Sequence, residues 1–285
     1  MTVTNAKQIL TKALEQGPVC VVQVLQVQGS APRGTGTWMG VGAWVRPGSL
    51  QGLIGTIGGG HLEYQAMERA LRVLNGDEDE GTQRYALGPS LGQCCGGVVH
   101  LCFQVVRSLH QFENLGLHLP APMPVAVFGA GHVGSSLVRI LEQLPCSITW
   151  IDSRTDIWPE HLADEAQRGG RLQRIQLESV QDAVQDLPSD CRVVILTHSH
   201  VEDWDVVAAC LARRRRDQSL PFVGLIGSDS KWVSFRRRLL ARGFDAAEVD
   251  AVECPVGVEG IEGKEPAVIA VAIAARLLQT RSSVR

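Results

Sequence analysis

The stretch VAVFGAGHVGSSLVRIL (Val125–Leu141) decides the fold of the second half of this chain. Its first four residues are apolar and read as a buried strand, whereas the last ones place apolar side chains at helical spacing. Between them stand three glycines in the pattern GxGxxG, and each meets a different physical demand. Gly129 allows the tight turn from strand to helix, Gly131 lets the backbone approach a phosphate, and Gly134 permits close helix–strand packing. The first N–H groups of the helix have no partner within it, and with the positive end of the helix dipole they suit an anion. The bland alternative is that the glycines serve only the turn and leave the crevice to another ligand.

Outward from this turn, strands and helices alternate, which argues for a parallel sheet with right-handed crossovers. Strands are expected at Val125–Phe128, Ser147–Ile151, Leu172–Ile175, Arg192–Leu196 and Phe222–Ile226. Helices are expected near 132–144, 202–214, 231–240 and 266–278, the last opened by Pro266, whose missing N–H costs nothing at a first helical position. This is a Rossmann-type domain over residues 124–285. Asp152 closes the second strand, 23 residues after Gly129, where an acidic side chain would accept from a ribose 2′-hydroxyl and favour an NAD-like ligand over an NADP-like one.

Residues 1–106 read differently. Asn5 with Gln8 suggests a capping box and Gly17 a helix stop; Pro18–Gln28 alternates and is rich in valine, so it is a strand. The loop Ser30–Gly36 (SAPRGTG) precedes two strands, near Thr37–Val45 and Leu50–Thr56, with Arg46–Ser49 as their hairpin connection. Gly58, Gly59 and Gly60 lead into a helix over His61–Leu74, ended by Asn75-Gly76. Strands at Gln83–Leu87 and Val98–Val106 flank a loop carrying Cys94 and Cys95. The fold class is thus α/β, an N-terminal α+β domain followed by the Rossmann-type domain. Residues 107–123, aperiodic and ending in prolines, read as the linker.

A chain of 285 residues accommodates two such domains. A net charge of −3 gives no general electrostatic reason to bind nucleic acid or an anionic membrane. The opening MTVTNAKQIL lacks a signal-peptide pattern, and the apolar run Ala267–Leu278 is too short to span a bilayer, so a cytoplasmic protein is expected. Cys20, Cys102, Cys146, Cys191, Cys210 and Cys254 sit in or beside apolar runs and read as small buried hydrophobes. Cys94 and Cys95, flanked by glycines, are poorly spaced for zinc, but an exposed thiolate there could ligate a soft metal or its sulfur ligands. Thr197–His200 (THSH) with Glu202 and Asp203 superficially matches a metallohydrolase through His198 and His200; the same position equally suits ligand contact or capping of the next helix. Arg213–Arg216 and Arg236–Arg238 read as solvated helix surface, and Lys264 and Glu265 as residues of the loop before the last helix that could face the crevice.

Eight ordered segments together resemble the XdhC/CoxI family, the accessory proteins of xanthine dehydrogenase and related molybdenum hydroxylases. In the first half they are GSAPRGTGTWM (Gly29–Met39), GTIGGGHLE (Gly55–Glu63) and QCCGG (Gln93–Gly97). In the second half they are VFGAGHVG (Val127–Gly134), WIDSR (Trp150–Arg154), THSHVEDWD (Thr197–Asp205), GLIGSDSKWVSFRRRL (Gly224–Leu239) and CPVGVEGIEGKEPAVIAVAIAARLL (Cys254–Leu278). The resemblance implies a chaperone, not a turnover enzyme. Such a protein binds the molybdenum cofactor (molybdopterin), shields it, supports exchange of an oxo for a sulfido ligand, and delivers it to an apo molybdenum hydroxylase. A cysteine desulfurase or sulfurtransferase would donate the sulfur. It implies cofactor-binding roles for Cys94 and Cys95. Gly58–Gly60 and Gly129–Gly134 are both candidates for its phosphate, with Arg33 adding a charge-assisted contact. The rival reading is an NAD-dependent oxidoreductase on the GAGHVG turn, with His132 or His198 as acid–base group. The sequence leaves open which turn holds the phosphate, which hydroxylase is served, and the oligomeric state, a homodimer included.

Overall fold

The computed structural model describes residues 3–46, 52–87, 96–117, 122–158 and 171–281. The hairpin positions Pro47–Ser49 and the thiols Cys94 and Cys95 lie outside them. The chain divides into two compact units, Met1–Pro120 and Ala121–Arg285.

In the first unit, five antiparallel strands run in the order β3-β2-β1-β5-β4, formed by β1 (Val19–Gln28), β2 (Trp38–Gly42), β3 (Ile54–Gly55), β4 (Gly81–Ala86) and β5 (Val98–Val106). The alternation in β1 dictates two faces. Cys20, Val22 and Val24 meet Leu62, Ala66, Met67, Ala70 and Val73 of helix α2 (Gly60–Asn75), together with Leu101 and Phe103 of β5. Val19 and Val21 meet Leu10 and Ala13 of α1 (Val3–Gln16) on the opposite face. Helix α1 begins at Val3, so Asn5 lies inside it rather than at its cap; Gly17, with φ +153°, does end it.

Residues 107–117, read as linker, contain helix α3 (Leu109–Glu113), whose Phe112 is buried against Trp38 with ring centroids 4.8 Å apart. The Ser108 hydroxyl accepts from the Gln111 N–H, an S-x-x-Q cap that was present in the sequence but masked by the aperiodic stretch around it.

The second unit is a fully parallel sheet in the order β10-β9-β6-β7-β8. Its strands are β6 (Met123–Phe128), β7 (Cys146–Asp152), β8 (Leu172–Gln176), β9 (Arg192–Ile195) and β10 (Phe222–Leu225). Strand β6 comes first in the chain and lies in the middle, β7 and β8 extend to one side, and β9 and β10 to the other. The order therefore reverses between β6 and β9.

One face is covered by α4 (His132–Leu141) and α8 (Pro266–Gln279), through Leu137, Val138, Leu141, Ala270, Ile273 and Leu277. The other face is covered by a short 3-10 helix (Val180–Asp186), α5 (His200–Asp217) and α6 (Asp229–Ala241), with α7 (Ala246–Asp250) beside α6. Burying each such large aliphatic side chain is worth roughly 1.5–3 kcal/mol. No helix of the described residues is long and apolar enough to cross a membrane.

The two arginine runs meet different surroundings. The run Arg213–Arg216 is a solvated helix end only in its second half: Arg213 is buried and donates to the Val184 carbonyl and Arg214 donates to that of Leu220 (2.7 Å), whereas Arg215 and Arg216 are exposed, Arg215 pairing with Glu248 over the Phe244 ring. The long aliphatic stems let Arg213 and Arg214 carry their charged heads back to these backbone carbonyls. On α6 the run Arg236–Arg238 does lie on the solvent side: Arg237 and Arg238 are exposed, Arg236 pairs with Asp250 at 2.7 Å and Arg238 stacks on Trp204. Of the six cysteines read as small hydrophobes, Cys20, Cys146, Cys191 and Cys210 are buried, and Cys102 and Cys254 are half-buried. Burial pushes the thiols of Cys20, Cys191 and Cys210 up to about 12, which keeps them protonated and inert.

Candidate functional site

The three glycines of the GAGHVG turn behave as three different devices. A Cβ at Gly129 would lie 2.2 Å from the Leu196 carbonyl oxygen, and the residue already sits at φ +113°. A Cβ at Gly134 would lie 2.1 Å from the Gly129 carbonyl oxygen, so helix α4 closes on the strand only without a side chain there. At Gly131, the N-cap of α4, nothing stands within 4 Å. Two positions are glycine for packing; the third faces open space.

That space is a crevice of about 630 Å³, lined by the turn (Ala130–Ser135), Arg154, Ile157, Leu196–His198, Ile226 and Pro266. It lies at the carboxyl ends of β6 and β9, where the strand order reverses, which is where open parallel sheets bind ligands. Lys264 and Glu265 are not among its lining residues. A larger hollow, about 870 Å³, lies along residues 253–263 and α8, but its charged pair Glu253 and Arg276 already bridge each other at 2.6 Å.

Asp152 does end β7, yet its carboxylate is not open to a ribose. One oxygen accepts from the Ala130 N–H at 2.6 Å and from Arg154 Nη2 at 2.8 Å. The other accepts from the Arg154 N–H at 3.0 Å and from Nε at 2.9 Å. Four donors fill the roughly four lone-pair positions of a carboxylate. Burial works against the charge of this group, but the combined hydrogen bonds from Arg154 and Ala130 outweigh it and hold the pKa below the usual Asp value. A depressed folded-state pKa contributes stability that is present above the unfolded value, near 3.9, and is lost as pH falls through the folded one. Urea stability of the chain should therefore drop on acidification below about pH 4, and Asp152→Asn should flatten that drop. An unchanged acid slope in the variant would remove Asp152 from the acid response.

The THSH segment is a helix cap. Ser199 is the N-cap of α5 and its hydroxyl accepts from the Val201 and Glu202 N–H groups; His200 opens the helix. His198 stands at the crevice, with Nδ1 3.7 Å from Glu202 Oε2. Among the described residues no three His, Cys, Asp or Glu side chains come together as a metal site. Behind the segment, buried Asp203 accepts from the Thr197 N–H and hydroxyl at 3.0 and 2.8 Å and pairs with Lys231 Nζ at 2.6 Å. Lys231 also donates to the Ile226 carbonyl at 2.9 Å. This ties the ends of β9 and β10 together below the crevice.

In the first unit, three glycine-rich arms meet. A Cβ at Gly97 would lie 2.3 Å from the Ser30 carbonyl oxygen, and one at Gly29 would lie 3.3 Å from the Gly97 Cα. A Cβ at Gly58 would strike the Pro32 ring at 2.4 Å. The segments around Arg33, around Gly58–Gly60 and at Gly96-Gly97 thus share one edge, and Arg33 is exposed there. Glu63, 5% exposed, sets the shape of the middle arm: one carboxylate oxygen accepts from the Thr56 hydroxyl (2.5 Å) and from the Ile57 and Gly59 N–H groups (2.9 and 3.1 Å). Within the Gly58–Gly60 turn the Gly59 N–H is therefore filled by a carboxylate and the Gly58 N–H by the Thr56 hydroxyl (3.1 Å), whereas in the Gly129–Gly134 turn the Asp152 carboxylate takes the Ala130 N–H and Gly131 faces open space. Glu63, Arg154 and Lys231 lie within the motifs GTIGGGHLE, WIDSR and GLIGSDSKWVSFRRRL, where sequence reasoning assigns them no role. Spacing could place them but not say what their charges meet.

A parallel sheet with a glycine-rich turn at its switch point, joined to a five-stranded antiparallel unit, defines a two-unit protein with a Rossmann-type second half. The family described as "XdhC Rossmann domain" matches residues 125–277, and the one described as "XdhC and CoxI family" matches residues 13–86. The chain belongs to the XdhC/CoxI family. It is similar to the Escherichia coli K12 "Uncharacterized protein YqeB", at 26% identity over 272 residues, 93% of this chain; it spans 44% of that protein's length. The crystal structure of a protein from Bacillus halodurans, described as a xanthine dehydrogenase, has the same fold: TM-score 0.75 at 19% identity, covering 100% of this chain and 97% of that one.

Proposed function

We propose that this chain is a maturation chaperone of a xanthine dehydrogenase-type molybdenum hydroxylase, and that its cargo is the molybdenum cofactor. The observation that carries the reading is the convergence of the three glycine-rich arms in the first unit of an XdhC/CoxI family member. The cargo carries a terminal phosphate and a soft, dithiolene-bound metal. Thiolates suit the metal and its sulfur ligands, and a guanidinium suits the phosphate. Cys94 and Cys95, which directly precede Gly96-Gly97 in the sequence, would supply the first, and Arg33 would supply the second. Glu63 would keep the middle arm in register without touching the cargo. Sulfuration of the cargo would occur with a separate sulfur donor, while the chaperone shields it.

The test is retention of molybdopterin by the purified chain after desalting, read by the fluorescence of the oxidised pterin. The wild-type protein should retain pterin and activate apo-hydroxylase. Cys94→Ala/Cys95→Ala should lose retention by about tenfold or more, the loss of one or more strong contacts at 1.4 kcal/mol per decade. Equal retention in the double variant would overturn the thiol assignment, and no retention by the wild-type chain would overturn the cargo.

A further inference from the structure

We infer that the crevice of the second unit is a separate nucleotide site selecting a ribose that carries a phosphate, so that it takes an NADP-type ligand in preference to an NAD-type one. Three features of this crevice point to such a ligand. It is a cavity of about 630 Å³ at the switch point of the sheet, large enough for the phosphate and ribose portion of a nucleotide. The charged or titratable side chains on its lining are Arg154, His132 and His198; the nearby Glu202 carboxylate is not on the lining and is engaged by the Ser153 hydroxyl at 2.7 Å and by His198 at 3.7 Å. The carboxylate that would otherwise read free ribose hydroxyls, Asp152, is 2% exposed and has both oxygens filled by Ala130 and Arg154.

The acid and the base at the end of β7 have therefore exchanged parts. In a site that reads an unphosphorylated ribose, the acidic side chain accepts from the hydroxyls; an arginine nearby accommodates a 2′-phosphate. Here Asp152 turns away from the ligand and acts as a brace for Arg154. It engages Nε and Nη2, which leaves Nη1 and its two N–H donors without a hydrogen bond among the described residues. A guanidinium held on one edge presents the other in a fixed direction, which suits a planar, charge-assisted contact with phosphate oxygens.

Arg154 also lines an adjoining hollow of about 470 Å³ with Ser153, Thr155, Asp156 and Ile157, so there is room beside it for the added group. The single carboxylate of that hollow, Asp156, is exposed and accepts from the Thr155 hydroxyl at 3.4 Å. Gly131 has open space where a Cβ would stand, which leaves the turn accessible to the other phosphates of the same ligand. Asp152 is thus a positioning residue and Arg154 the specificity-determining one.

The test uses the full chain and titrates NADPH, NADH, 2′,5′-ADP and 5′-ADP by calorimetry, with no molybdenum present. Failure of the cargo reading therefore leaves this result untouched. Wild-type protein should bind NADPH at least tenfold more tightly than NADH, and 2′,5′-ADP more tightly than 5′-ADP. Arg154→Ala should remove the preference while leaving residual NADH binding, and Arg154→Lys should restore part of it. Melting temperatures of the variants separate loss of folding from loss of selectivity. Equal binding of the two dinucleotides, tighter binding of NADH, or no binding of any of the four by wild-type protein would each overturn the inference. A preference that survives in a folded Arg154→Ala would overturn the role of Arg154.

Discussion

Gly129→Ala is expected to cost the chain about 2–6 kcal/mol, the sum of about 1–3 kcal/mol for a non-glycine residue held at positive φ and a similar amount for overpacking. The φ of +113° supplies the first part, and the 2.2 Å approach to the Leu196 carbonyl oxygen supplies the second. Neither can be relieved locally. The atom met is backbone, at the end of β9, and Gly129 is itself anchored by its N–H to the Ile151 carbonyl at 2.7 Å. Gly131→Ala gives the opposite outcome. The residue sits at φ −70° and ψ −169°, which alanine adopts freely, and nothing stands within 4 Å of the added methyl. Its stability should stay within about 0.5 kcal/mol of wild type, while any ligand that packs on the turn should bind more weakly. Urea midpoints followed by tryptophan fluorescence measure both. A Gly131→Ala as damaging as Gly129→Ala would mean that the crevice is not open at the turn.

Lys231→Met is the second large effect. Lys231 pairs with Asp203 at 2.6 Å, and the side chains are 13% and 3% exposed. Removing the cation leaves a buried carboxylate with the Thr197 donors alone, and breaking a buried pair in this way costs about 3–5 kcal/mol. For a unit of this size that corresponds to a melting temperature lower by roughly 6–20 °C. The double variant Asp203→Asn/Lys231→Met should recover much of the loss, because no uncompensated charge remains. The two single changes and the double change form a cycle whose coupling energy is the measurement. A coupling near zero would show that the pair does not hold the β9 and β10 ends together.

How much of this was legible in the sequence depended on whether the signal was local. The alternation of β1, the glycine-rich turn and Pro266 at the start of α8 are local, and they appear where the spacing put them. Strands of the parallel sheet were foreseen to within a residue or two because each is a short apolar run between turn residues. Pattern failed where the decisive partner is distant or folded back. Asp152 sits where its spacing placed it, but Arg154, two residues on, consumes its acceptors. Arg213 and Arg214 look like solvated charge until the carbonyls of Val184 and Leu220 are brought to them, while Arg215 and Arg216 are exposed as the pattern suggests. The caps Ser108…Gln111 and Asp245…Glu248 were readable, yet the helices that they start are only five residues long and show no period. Glu63 was visible as an acid in the first turn of α2. Its three donors come from residues before the helix, and only the turn geometry brings them to one oxygen.

The indole of Trp150 is buried behind the GAGHVG turn, donates from Nε1 to the Gly129 carbonyl at 3.0 Å, and meets the edge of Trp158 with centroids 5.1 Å apart. This makes the turn optically audible. The chain has six tryptophans, and among the described residues Trp150 is the one wired by a hydrogen bond to the backbone of the turn. A ligand that tightens or twists that backbone changes the field at this chromophore through that hydrogen bond. Its arrival can therefore be timed in the unlabelled protein by stopped-flow emission, with Trp150→Phe as the silent control.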